Sequence, residues 1–181
     1  METIAISVFK VESEAYQALS KMRNHASYQE TLKFSQVALL KKTNGSIHWK
    51  DGFDTGVVTN DDTWKGSLIG GLVGILGGPL GILLGLGVGT LAGAAKDTYD
   101  AKEEGGIVKY VSSHMREGDV SIIAVIEEEN DELFDRMLSE FDAVTVRHDP
   151  EVVEKEVEHA KKVEKKLQKQ AEEDMSNRTS K

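Results

Sequence analysis

The sequence predicts an α+β protein: a ferredoxin-like split strand–helix–strand sheet, an inserted glycine-zipper helical hairpin and a C-terminal charged helix. Three observations carry this prediction. Two separated stretches share a strand–helix–strand pattern, an uncharged glycine-rich island lies between them, and the last 30 or so residues alternate charge with a thin apolar stripe. Four parts follow: 1–62 and 100–149 as the two halves of the sheet domain, 63–99 as the hairpin, and 150–181 as the charged helix and a frayed tail.

Ile4, Ile6 and Val8 alternate with Ala5, Ser7 and Phe9, the period-two signal of a strand. Ser13 is placed to cap a helix whose Ala15, Leu19, Met22 and Ala26 share a face. A second strand is expected over 33–42, turned by Asn44-Gly45 into a short partner strand over 46–50, because both turn residues accept positive φ. The plan repeats downstream. A helix is expected over 107–115, Gly118-Asp119 turns into an apolar strand over 120–126, and Asn130 is placed to cap a helix carrying Leu133, Phe134, Met137 and Leu138 before a last strand over 143–147. Neither half buries enough surface alone, but together they make a four-stranded antiparallel sheet with two helices on one face.

The island holds 11 of the 17 glycines within residues 66–95 and no charge, although charged residues make up 29% of the chain. Gly66, Gly70, Gly74 and Gly78 form one series at spacing four, and Gly77, Gly81, Gly85, Gly89 and Gly93 form a second. That spacing strips side chains from one helical stripe and lets another backbone approach. The phase changes at Gly77-Gly78-Pro79, where glycine suits a helix end and proline the first turn of the next helix. Arms over 63–77 and 79–95 are roughly 23–26 Å long, against roughly 30 Å of bilayer hydrocarbon. A hairpin also returns the chain to the side it left, so that the two half-sheets can meet. Trp64, Lys65, Lys96 and Tyr99 bracket the island as membrane-interface residues do, and the lysines put the sheet domain on the cytoplasmic side of the cytoplasmic membrane. Leu68, Leu72, Leu83, Leu84 and Leu91 are expected to face lipid or neighbouring helices. The competing expectation is a soluble, cytoplasmic homo-oligomeric shell or filament subunit with the hairpins buried inside the assembly. In either case about 1 kcal/mol per helical glycine must be offset by shielding the backbone.

The charged C-terminal stretch reads as a helix over 151–175. Val153, Val157, Ala160, Val163 and Leu167 form its narrow stripe, so it is expected to be mostly solvated, with packing on a helical partner as the other option.

The strand Ile4-Ala5-Ile6-Ser7-Val8, the zipper broken at Gly77-Gly78-Pro79, and Arg116-Glu117-Gly118-Asp119-Val120-Ser121 leading into a strand together resemble a bacterial family of uncharacterised membrane proteins, domain of unknown function 1269. The resemblance covers residues 3–148. It implies a ferredoxin-like domain with a glycine-zipper hairpin, in proteins described as membrane-associated and sometimes as stress-related. It supplies no catalytic residue and no role for the helix after residue 150.

The formal charge of −9 argues against a nucleic-acid partner, and zero cysteines exclude disulfides, thiolate metal sites and a cysteine nucleophile. Gly87-Val88-Gly89-Thr90-Leu91-Ala92 has dinucleotide-turn spacing, but it lacks the preceding strand that such a site requires. His25, His48, His114, His148 and His159 show no metal-ligand spacing, and Glu127 to Glu132 read as helix-start acids rather than a calcium loop. No catalytic residue, cofactor or metal is therefore expected. The expected role is non-enzymatic: a membrane-associated, self-assembling protein whose partners are the lipid bilayer and further copies of itself.

Overall fold

The computed structural model describes residues 2–26, 31–55, 62–81, 106–129 and 132–179. In chain order the elements are β1 (Glu2–Phe9), α1 (Glu12–His25), β2 (Leu32–Thr43), β3 (Ser46–Asp54), α2 (Asp62–Gly77), α3 (Ile107–His114), β4 (Val120–Glu128), α4 (Glu132–Leu138), β5 (Ala143–His148) and α5 (Pro150–Thr179).

The five strands form one antiparallel sheet in the order β3-β2-β4-β1-β5. Leaving out β3, the order β2-β4-β1-β5 is that of a ferredoxin-like split pair, with β1 and β4 central. The two halves of the chain are interleaved: β1 pairs with β4 over the full length of β1, Glu2 with Glu127 through Phe9 with Val120. The sheet has five strands rather than four, because the hairpin partner runs to Asp54 and adds a full edge strand. Its turn is as expected, with Asn44 at φ 55° and Gly45 at φ 76°. Gly52 passes so close to β2 that a Cβ there would overlap the Val37 carbonyl oxygen.

Both faces of the sheet are covered. On one, Ala5, Phe9, Ile122 and Ile126 pack with Ala15, Leu19 and Met22 of α1 and Phe134 and Leu138 of α4. These are the two helices of the ferredoxin-like pattern. On the other, Ile4, Ile6, Leu40, Ile123 and Val125 pack with Leu68, Leu72, Ile75 and Leu76 of α2, Ile107 and Val111 of α3, and Val153, Val157, Ala160 and Val163 of α5. The reason lies in the strands. Ile122-Ile123-Ala124-Val125-Ile126 is apolar without alternation, so each face needs its own cover.

Several expected details differ. Ser13 lies inside α1, which starts at Glu12 after Val11 with no side-chain cap. The cap expected of Asn130 lies outside the described residues; Glu128 accepts the Phe134 N–H at 3.2 Å. The charged C-terminal helix continues to Thr179, past the end expected at residue 175, and Val153, Val157, Ala160 and Val163 of its stripe are buried rather than solvated, the side chain of Leu167 lying outside the description.

Candidate functional site on the second face of the sheet

The first zipper arm and the C-terminal helix meet on the sheet face that the ferredoxin-like helices leave open. In α2 the apolar residues at three- and four-residue spacing, Leu68, Leu72, Ile75 and Leu76, point into the core, and Leu80 joins them beyond the helix. Leu68 and Leu72 are thus in the protein's own interior, not on a lipid-facing surface. Energetics favour this. Burying five such side chains contributes on the order of 10 kcal/mol, against about 5 kcal/mol for the five glycines of α2.

The glycines divide by direction. Gly70 and Gly74 are exposed, and a Cβ at either would meet nothing within 4 Å. Gly71, outside both zipper series, faces α5: a Cβ there would sit 3.0 Å from both Val157 Cγ1 and Lys161 Nζ. Gly77 ends the helix beside the Ile47 carbonyl, and at Gly78 a Cβ would overlap the Glu164 carboxylate. At Gly81 it would overlap the Leu76 carbonyl. The break falls where expected, with a bend at Gly78 and helical backbone again over 79–81, starting at Pro79. Gly66, Trp64 and Lys65 lie on the backbone of α2. Gly85, Gly89, Gly93, Lys96 and Tyr99 lie outside the described residues, as do Leu83, Leu84, Leu91 and the dinucleotide-like turn at 87–92. The contacts at Gly71 with Val157 and Lys161, and at Gly78 with Glu164, show α2 and α5 running parallel in matched steps of seven residues. Glu164 reaches the Leu80 N–H at 3.4 Å.

Three polar side chains that sequence reasoning missed pin this layer together. Glu156 of α5 is 6% exposed and accepts the N–H groups of Ile107 at 2.7 Å and Val108 at 3.0 Å, capping α3 from another helix. Gly106 makes room, since a Cβ there would lie 2.5 Å from a Glu156 oxygen. At the other end of α3 the buried Lys42 ammonium donates to the carbonyls of Ser112 at 3.1 Å and Met115 at 2.9 Å. Glu117 accepts from Asn44 N and Gly45 N, and these bonds hold its carboxyl below the usual range. The Arg116–Asp119 motif thus clamps the β2–β3 turn, with Gly118 at φ 89°. Glu156 and Lys42 stand on no local motif, so only an unexplained polar residue within an apolar stripe marks them in the sequence.

Among the described residues no group of three or more His, Cys, Asp or Glu side chains converges. His114 stacks on Tyr110 at 4.2 Å, and His148 meets the same ring edge-on at 6.4 Å. Burial pushes the His148 imidazole below its ordinary value, with the Glu156 charge opposing. Glu128, from the acidic run, joins Arg147 at 3.2 Å as a structural pair.

No family model, curated protein or solved structure matches the chain. Among the described residues no helix is long and apolar enough to cross a membrane.

Proposed function

We propose that the protein is a non-enzymatic, membrane-associated protein that self-assembles through its glycine-zipper segment. The observation carrying this reading is the direction of the glycines in α2: the leucine face is turned to the sheet, and Gly70 and Gly74 stand bare on the outer surface. An apolar helix that exposes backbone rather than side chains suits close approach by a second helix. The uncharged sequence at 81–95 is the candidate for lipid contact. The resemblance to the glycine-zipper membrane family accords with this reading.

Replacing Gly70 and Gly74 by leucine tests it. Apart from neighbours in the helix itself, no described residue lies within 4 Å of a Cβ at either position, and each exchange removes a helix-propensity penalty of about 0.8–1 kcal/mol. The expected outcome is a monomer at least as stable as before and weakened oligomers in membrane crosslinking. Unchanged oligomers rule the zipper mechanism out.

A second reading, a soluble homo-oligomer with its hairpins inside the assembly, is favoured by the burial of Leu68, Leu72 and Leu76 against the protein's own sheet. Alkaline carbonate extraction separates the two, since release of large particles into the supernatant supports the second.

A further inference from the structure

We propose that the outer face of α5, carrying the exposed row Lys161, Lys165 and Lys169, is the surface that rests on an anionic phospholipid layer. This rests on the membrane-associated reading and names the lipid chemistry and the residues that read it.

Charge is the first argument. The chain carries −9 overall, yet residues 161–169 contain five lysines and one glutamate, a local balance of +4. Glu151, Glu154 and Glu158 precede this stretch, and Glu172 and Glu173 follow it. Because charges are screened over about 10 Å at ordinary ionic strength, a membrane touching this face responds to the lysines rather than to the net charge. Exposed Glu132, Asp135, Glu140 and Asp142 belong to the α4 region, on the opposite side of the sheet, and each is paired there with a basic side chain.

Geometry is the second. Val153, Val157, Ala160 and Val163 hold one side of α5 against the sheet and α2. Lysines at spacing four therefore line up away from it, and Lys161, Lys165 and Lys169 are all exposed. Lys161 lies on the α2 side of this row, since an added Cβ at Gly71 would meet its ammonium group at 3.0 Å. Long lysine stems with terminal charges suit phosphate headgroups above an apolar boundary.

The test is co-sedimentation of the full chain with vesicles of phosphatidylcholine alone and of phosphatidylcholine mixed with phosphatidylglycerol. The expected result is partitioning onto the anionic vesicles that falls with added salt. It should drop on the order of 100-fold in the triple variant Lys161→Gln, Lys165→Gln, Lys169→Gln. A control pair on the opposite layer, Lys10→Gln with Lys21→Gln, is expected to leave it unchanged, and circular dichroism should show both variants folded. Equal binding to both vesicles, untouched by the triple exchange, overturns the lysine face while leaving membrane association standing. Binding to neither vesicle overturns both. Lysine-dependent retention by single-stranded RNA that anionic vesicles do not displace reassigns the face to a nucleic acid and overturns the proposal.

Discussion

Glu156 shows how much one side chain decides. Its carboxylate leaves α5, crosses to α3 and takes two backbone N–H groups that the first turn of any helix leaves without partners. Glu156→Ala strands both groups in a buried layer. The expected cost is about 2–3 kcal/mol, read by chemical denaturation. Gly106→Ala should destabilise through the same contact, because its Cβ displaces the carboxylate. His148 gives the layer a pH dependence. Its folded-state value lies below the ordinary 6.5, so the unfolded chain takes up the proton first as pH falls. Stability should therefore be highest with the imidazole neutral and should decline as pH drops below about 6.5. His25, also lowered by burial, acts in the same direction. His148→Gln is expected to flatten the acid limb of a plot of stability against pH in part, leaving the His25 contribution.

At the scale of elements, α2 and α5 depend on each other. Neither has the composition of an ordinary soluble helix: one is rich in glycine, the other is charged on all but a narrow stripe. Packed side by side they cover one sheet face, and the stripe of α5 fits where Gly71 and Gly78 clear space. Gly71→Leu should therefore destabilise the fold by about 1–3 kcal/mol through overpacking against Val157, whereas Gly74→Leu should not. Thermal melts of the two single variants compare one helix with itself, and a similar loss in both would contradict the packing. The zipper periodicity was legible in the sequence, as were the break at Gly77-Gly78-Pro79, the Asn44-Gly45 turn and the two strand–helix–strand units. The burial of the α5 stripe was not. Thinly spaced apolar residues such as Val153, Val157, Ala160 and Val163 in a charged helix look solvated until the surface opposite them is known, and that surface is assembled from β1, α2 and α3, none of them adjacent to α5 in sequence.

Over the whole molecule, the sheet is shared between the halves of the chain and covered on its second face by α2, α3 and α5. Removing residues 150–181 should uncover Ile4, Ile6, Leu72 and Ile107 and forfeit the burial of Val153, Val157 and Val163, about 5 kcal/mol for the valines alone. That is a large part of the 5–15 kcal/mol typical of a domain. The truncated chain is expected to bind a hydrophobic dye and lose cooperative unfolding; an unchanged melt would mean that α5 is not part of the core. By itself the sequence determined the local features: which segments are strands or helices, where glycine must turn the chain, and which helix carries a side-chain-free stripe. These follow from periodicity and backbone freedom, which act over a few residues. Only the tertiary structure decided which way that stripe points and what covers the leucines beside it. The unbroken apolar run Ile122–Ile126 requires a cover on both faces, but it does not name the helices that supply it, because burial is a property of surfaces brought together and not of the segments that carry them.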